Sequence, residues 1–436
     1  MNTILMLGIF AAVFTIIYQD KYDRLQVVFV GACTMLIIGM LLGNYTPLMA
    51  LESIYFETLA LIFGMSLISA ILSRSGAFAY IAERTISYSA GSGWLVVILL
   101  TLLTYAFSLV ANNLATMVVI LPLSLTLCLR MGIQPIPLLI AEIIASNLGG
   151  ASTMIGDFPN MIISTAASLS FLDFIGGMMV ATLVLLAALL LFLQSRRAEF
   201  KPSGSLIKIL DTDEKDNSVE LDHFLLKLGV YSLIIVLVLF IFADSLGITP
   251  AYVAIITGII LIELGAFKRH ELINVSGARD IMFFACLFIM VGALKATGTL
   301  DLIASLIENM GANNKTFSIL LLMWIAAIVT LFLNAGPSTA FFIPVAMSIY
   351  TNYQDVTVWW ALSLGVLAGS SAALTGATAG SLATTHLADF NKHHPELKAI
   401  MGEDSSLSFK RYLRWGIPVM FIFLGISTLY ILLLLQ

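Results

Sequence analysis

Apolar stretches of about 20 residues recur along this chain from Ile4 to Leu435, and that recurrence constrains the fold more than any other feature. Hydrocarbon about 30 Å thick is crossed by roughly 20 helical residues. The stretches do not alternate polar and apolar positions, which argues against membrane-barrel strands. With 60% hydrophobic and 11% charged among 436 residues, the chain has too few ionisable side chains to cover a water-soluble surface of this size. The sequence therefore predicts an all-α polytopic membrane protein. The first stretch has no basic segment before it and no small-residue cleavage site after it, so it reads as a retained helix.

Spans are expected near residues 3–18, 25–43, 54–73, 137–169, 175–194, 227–243, 250–266, 280–296, 357–385 and 414–435. Two further apolar segments, 94–129 and 316–350, run to about 35 residues, too long for one span. Each has a polar, helix-breaking centre: Asn112-Asn113 in the first, Asn334-Ala335-Gly336-Pro337-Ser338-Thr339 in the second. Both read as re-entrant hairpins with half-length arms, because irregular backbone at membrane depth survives only where protein or a wet cavity satisfies its polar groups.

A net charge of −5 says little about partners, and no nucleic-acid footprint is present. The placement of charge says more. With the amino terminus outside, 19 of the 21 Lys and Arg residues fall in inside loops and span ends, leaving only Lys295 and Lys315 outside. Both termini are then expected outside, in a plasma (inner) membrane. Trp94, Trp359, Trp360 and Trp415 stand at segment ends and read as interfacial anchors. Cys33, Cys128 and Cys286 lie in apolar stretches without metal-ligand spacing and read as packed thiols.

The chain repeats internally. When its second half is laid on its first so that Asn334 falls on Asn112, Pro344 falls on Pro122, and 227–243 falls near the first span. The expected organisation is a first repeat over 1–194, a cytoplasmic linker over 195–226 and a second repeat over 227–436. Five spans in each half, an odd number, place the second upside down, the inverted repeat of secondary transporters. The hairpin tips would then meet near the midplane.

The long span of the first half carries Ser146-Asn147-Leu148-Gly149-Gly150-Ala151-Ser152-Thr153, followed by Gly156-Asp157-Phe158-Pro159-Asn160. Its counterpart carries Gly369-Ser370-Ser371-Ala372-Ala373-Leu374-Thr375-Gly376. Glycines, hydroxyls and a proline in mid-membrane unwind a helix and free its carbonyls and N–H groups for ions. A packing interface of small residues is the structural alternative; two such stretches at matching positions, each beside a polar tip, favour the broken helix. The candidate substrate- or ion-binding residues are Asn112, Asn113, Thr116, Ser146, Asn147, Gly149, Gly150, Thr153, Asp157, Asn160, Asn334, Ser338, Thr339, Ser370, Ser371 and Thr375.

Glu142 and Asp157 are carboxylates within a span, where ionisation is costly without a cavity, ion or partner, so either is a candidate proton or cation site. The alternatives are a hydrated Glu142 near the cytoplasmic end and an Asp157 that caps the helix after the break. Glu57, Glu263, Asp280 and Lys295 lie near span ends and read as interfacial, and His386, His393 and His394 as solvated in a cytoplasmic loop. No Walker-type loop, Gly-x-Ser-x-Gly elbow or His-Glu-x-x-His pair occurs, which argues against ATP-driven transport by this chain alone and most membrane enzymes.

Ala141-Glu142, Ala145-Ser146-Asn147-Leu148-Gly149-Gly150 and Thr153 through Asn160 resemble the Ala-Glu…Ser-Asn-Ile-Gly-Gly…Ile-Gly-Asp-Pro-Pro-Asn signature of the ion transporter superfamily, in its arsenite-permease, sodium/proton antiporter D-type and P-protein branch. Weaker similarity, including Phe56-Glu57-Thr58 and Gly64-Met65, extends over nearly the whole chain. The resemblance implies elevator-type alternating access. From the related divalent anion:sodium symporters it implies sodium between hairpin tips and broken helices, here at Asn113, Ser146 and Gly149. Where relatives carry Asp-Asn at the first tip this chain has Asn112-Asn113, and at the second it has Asn334-Ala335. The lost carboxylates shift weight from proton exchange towards carriage of an anion or neutral oxyacid.

The leading expectation is a secondary carrier of a small inorganic or organic anion or oxyacid, coupled to sodium or protons, without a further cofactor. A sodium/proton antiporter is the alternative, kept by Glu142 and Asp157. A channel or structural subunit is a third, weakened by the lack of a continuous pore stripe. The partners expected are the small ion, the lipid bilayer and, as candidate assembly, a second copy of the chain.

Overall fold

The computed structural model describes residues 2–19, 21–89, 92–200, 221–267, 271–272, 277–311, 314–394, 401 and 406–436. Among them the chain forms nineteen α-helices and no strand. The first half runs α1 (Asn2–Tyr18), α2 (Arg24–Leu41), a short α3 (Pro47–Glu52), α4 (Phe56–Arg74), α5 (Ala77–Ser87), α6 (Gly93–Ser108), α7 (Asn113–Met131), α8 (Pro135–Ser152), α9 (Phe158–Ala166) and α10 (Phe171–Ser195). After a 3-10 turn over Arg197–Phe200, the second half runs α11 (His223–Leu246), α12 (Pro250–Glu263), α13 (Ala278–Ala296), α14 (Thr299–Met310), α15 (Lys315–Phe332), α16 (Ala335–Tyr353), α17 (Thr357–Ala372), α18 (Gly380–His393) and α19 (Phe409–Leu434). Each helix from α4 to α9 starts at the same sequence offset from its counterpart in α13 to α18, the offset that separates Asn112 from Asn334. Among the described residues, eight helices are long and apolar enough to cross a membrane, and the α13–α14 pair, bent by 69°, would make nine.

Local chemistry sets the helix ends. The Asp23 carboxylate accepts from the amides of Leu25 at 3.1 Å and Gln26 at 3.2 Å and so caps α2. Gly132, with φ of 65°, ends α7 in the left-handed conformation, and Pro135 opens α8; Gly247, with φ of 66°, ends α11, and Pro250 opens α12. Pro122 and Pro344 sit inside the hairpin arms α7 and α16.

Packing divides the helices into two groups. In the first, each half borrows from the other: α2 lies on α13, and α12 lies on α4. The α4–α12 crossing is a backbone contact, because a Cβ at Gly64 would collide with the Ala254 carbonyl. In the second group, α6 lies against α8 and α15 against α17. Every residue of α8 and α17 is buried, so these two broken helices form the centre of the molecule.

Several expectations change. The hairpin arms are 16 and 19 residues in the first half and 18 and 19 in the second, about 24–29 Å each rather than half-length. The short α3 and the amphipathic α5 and α14 lie between the expected spans, in stretches where hydropathy alone predicts no helix. Helix α18 continues to His393, so His386 and His393 are helical rather than in a loop. Trp359, Trp360 and Trp415 are buried, not interfacial: Trp360 fills the space over Gly177, and Trp415 stacks beneath the Arg196 guanidinium at 4.7 Å. Cys33 is exposed, whereas Cys128 and Cys286 are packed. Residues 201–220 of the expected linker lie outside the described residues.

Candidate functional site

The break between α8 and α9 is laced to the first hairpin. The Thr153 hydroxyl donates to the Leu109 carbonyl at 2.9 Å and accepts from the Gly156 amide at 3.2 Å. Asn112 caps α7, accepting from Ala115 N at 2.8 Å, and Asn113 Nδ2 donates to Asn147 Oδ1 at 3.4 Å. Gly150 permits this approach, since a Cβ there would stand 2.7 Å from Asn113 Oδ1 and 2.9 Å from Asp157 Cβ. Asp157 caps α9 by accepting from Phe158 N at 2.9 Å. Asn160 then ties the break together, its Nδ2 donating to the carbonyls of Gly150 and Thr153, both at 3.1 Å.

The second hairpin is tied to its own break in the same manner. The Thr375 hydroxyl donates to the Leu331 carbonyl at 3.2 Å, a bond at the same sequence offset from Thr153–Leu109 as the matching helices. Asn334 donates through Nδ2 to the Thr375 carbonyl at 3.4 Å, and Ala335 N donates to Gly376 O at 3.1 Å. The two breaks also bond to each other. Asn147 Nδ2 donates to Ser370 O at 3.3 Å, and the Ser363 hydroxyl donates to Asn160 Oδ1 at 2.8 Å.

The other expected site residues separate into four groups. Asn113 Oδ1 and the Thr116 hydroxyl are buried and lack a hydrogen-bond partner, so they remain able to ligate. Ser146 bonds Ser108 at 3.0 Å and Gly149 packs against the Tyr105 carbonyl, so both face arm α6; the residue beside Asn113 Oδ1 is Gly150. Ser338 accepts from Thr330 at 2.6 Å, while Thr339, Ser370 and Ser371 turn their hydroxyls back onto carbonyls of their own helices. Glu142 is fully buried rather than hydrated at a membrane face. The Ser124 hydroxyl donates to its Oε1, its Oε2 has no partner, and it lies on the α7–α8 interface, away from the pocket lining.

Three residues that the sequence reading misses, Ser363, Ser108 and Thr330, complete the network. Ser108 and Thr330 precede the tip asparagines Asn112 and Asn334 by one helical turn and superpose when the two halves are aligned on those asparagines, which is the available signal. Ser363 lies two turns before Ser370 on one helix face.

Two cavities meet this constellation. A small one, about 10 Å³ and so about one water in size, is lined by Asn147, Asp157, Asn160, Ala335, Ser363 and Ser370. A vestibule of about 730 Å³ reaches from Tyr18, Arg24 and Arg279 to the second tip at Asn334 and to the hydroxyls of Thr378 and Ser381. At its mouth Arg24 donates to Ser381 Oγ at 2.6 Å, and Arg279 pairs with Asp23. The Gln26 amide, more than the Arg279 charge, holds the Asp23 carboxyl below its ordinary value. Among the described residues no three His, Cys, Asp or Glu side chains cluster as metal ligands.

Paired hairpins, paired broken helices and a buried polar pocket define a membrane transporter. The chain belongs to the CitMHS citrate transporter family, which matches residues 11–365. It is 45% identical to the magnetosome protein MamN of Magnetospirillum gryphiswaldense, with 98% of each chain covered. It is 28% identical to an uncharacterised transporter of Mycobacterium tuberculosis, again over 98% of each. The P protein of Mus musculus is 25% identical over 98% of this chain and 59% of that protein. The fold is similar to that of the Alcanivorax borkumensis YdaH transporter, with a TM-score of 0.57 at 15% identity, covering 91% of this chain and 87% of that one.

Proposed function

We propose that the chain is a secondary carrier of a small oxyacid anion of the carboxylate class, coupled to sodium and working by alternating access in the plasma membrane. The observation that carries this reading is the convergence of two helix N-termini on the buried polar region: α9 begins at Phe158, which lines the vestibule, and α16 at Ala335, which lines the small pocket. Helix N-termini favour anions, and half-helix ends serve this purpose in transporters. Around them stand amides and hydroxyls, with Asp157 as the one carboxylate of the small pocket. The family's description as a citrate transporter points to the same substrate class.

The small pocket holds about one water and so suits an ion, whereas the vestibule is large enough for a tricarboxylate. Sodium would be held near Asn113 Oδ1 and Asp157, with Gly150 leaving room. The constant offset between matching helices and the reciprocal packing of α2 and α12 support two inverted repeats, divided at 1–194 and 227–436, with the basic vestibule mouth facing the cytoplasm and both termini outside. A sodium/proton antiporter is the second reading, favoured by Asp157 in the pocket wall and the half-partnered Glu142.

Thermal stabilisation of the purified protein by a panel of carboxylates and inorganic oxyanions, with and without sodium, tests the proposal. A true ligand at 100 times its Kd adds about 2.7 kcal/mol. Stabilisation by a carboxylate that requires sodium, together with weakened sodium-dependent uptake in Asn113→Ala, is the expected result. No response to any anion, with sodium-driven proton flux in liposomes, would replace this reading with antiport.

A further inference from the structure

Residues adjacent in sequence line the two cavities. Asp157 lines the small pocket and its neighbour Phe158 lines the vestibule; Ala335 lines the pocket, and Asn334 and Pro337 line the vestibule. One side chain covers the seam between these backbones. Phe284 of α13, only 3% exposed, lines the vestibule and meets the Phe158 ring edge to face at 5.3 Å and 67°. On its other side it covers Gly336, where an added Cβ would stand 2.8 Å from two of its ring carbons. Phe283 at 5.5 Å and Phe288 at 6.3 Å hold the ring, and Tyr55 packs on Phe288 at 5.1 Å.

We infer that Phe284 is the gate between the vestibule and the buried polar pocket. The ring is braced by aromatic neighbours, yet its contacts to the site are to a broken-helix start in one half and a hairpin tip in the other. A hydrated ion cannot pass a closed hydrocarbon constriction without losing its water shell, and hydrophobic constrictions gate by dewetting. An ion reaching Asp157 from the vestibule must therefore displace this ring, or wait until α9 and α16 move away from it. Glycine at 336 suits the role, since a side chain there would push the ring off the tip and hold the seam open. The inference rests on the carrier reading of this site.

The test reads chemical access and needs no transport. In purified full-length protein with Cys33, Cys128 and Cys286 changed to serine, single thiols are introduced by Ser363→Cys in the pocket or Thr378→Cys in the vestibule. Their rates of reaction with silver ions are followed by the thiol left for a maleimide dye after denaturation. Phe284→Ala should speed the reaction of the Ser363→Cys thiol at least tenfold, with Phe284→Leu between it and the parent, and leave the Thr378→Cys rate unchanged. Equal pocket rates in all three backgrounds would overturn the gate, as would equal acceleration of both thiols, which is general loosening. Should Phe284→Ala fail to remain monodisperse, the graded comparison of Phe284→Leu and Phe284→Met with the parent decides. Anion uptake is assayed separately, in the parent protein with Ser363 and Phe284 intact: uptake there beside an unchanged pocket rate removes the gate alone, and faster pocket access beside no uptake there removes only the carrier reading.

Discussion

The Ser363 hydroxyl on α17 donates to the Asn160 Oδ1 on α9 at 2.8 Å, joining the two broken helices across 203 residues of sequence. The same amide spends its Nδ2 on the carbonyls of Gly150 and Thr153. One side chain thus satisfies three buried groups in both halves.

Asn160→Ala should therefore destabilise the protein more than Ser363→Ala. A single buried hydrogen bond is worth about 1 kcal/mol, and stranding its partners adds about 1–3 kcal/mol. In a double-mutant cycle followed by thermal unfolding in detergent, the two changes should couple by about 0.5–3 kcal/mol. Strict additivity would show that the bond contributes nothing to joining the halves.

Gly149→Ala and Gly156→Ala each drive a methyl group into main chain, the carbonyls of Tyr105 and Ser108 respectively. Backbone cannot swing aside as a side chain does, so each should cost about 1–3 kcal/mol. Gly176→Ala on α10, where a Cβ meets nothing within 4 Å, serves as the control and should stay within about 0.5 kcal/mol of the parent. Similar melting of all three variants would remove the claim that the hairpins press on the breaks at glycine.

Asp157→Asn separates the two transport readings. Asn can cap α9 as Asp does, so a carrier that uses the residue as a cap should keep its flux within about threefold. An antiporter that loads a proton and a cation there should lose exchange and its pH dependence together, by at least about tenfold. Liposomes carrying a pH-sensitive dye, run in parallel with labelled citrate, report both.

Asp355, in the turn between α16 and α17, supplies a pH signature. Burial pushes its carboxyl up, but the Lys315 ammonium at 2.8 Å and the Thr357 hydroxyl and amide outweigh that and hold it below its ordinary value of 3.8. A value lower folded than unfolded stabilises the protein above about pH 4, and that contribution fades as pH falls through the lowered value. Because the Lys315 side chain is 40% exposed, Asp355→Asn should cost no more than about 1 kcal/mol at pH 7. The gap between parent and variant should close towards pH 3 in thermal melts; a constant gap would argue against the ion pair.

The large pattern is legible in the sequence because lipid imposes it. Helix length follows bilayer thickness, and the paired asparagines at 112 and 334 mark both hairpin tips. Thr153 and Thr375, which stand beside those tips in the aligned halves, bond the hairpins they are expected to meet. The finer site is less legible. A serine in an apolar helix either bonds its own i−4 carbonyl or reaches a neighbour, and sequence does not distinguish the two. So Ser371 stands among the expected ligands although it bonds Leu367, and Ser363 does not although it crosses to Asn160. The buried tryptophans mislead for a related reason. In a molecule whose central helices are enclosed by protein, a segment end need not be a lipid interface, as Trp359 under Tyr350 shows.

The exchange of partners between α2, α4, α12 and α13 has a consequence for biogenesis. During synthesis the Gly64 face of α4 emerges long before Ala254, the backbone it finally touches, because all of α5 to α11 is made in between. The first half must enter the bilayer with that small-residue groove covered only by lipid or a chaperone, and it can close only when α12 is threaded in. Late truncations that end before α12 should therefore leave an insertion intermediate exposed to membrane quality control, rather than a functional half-protein.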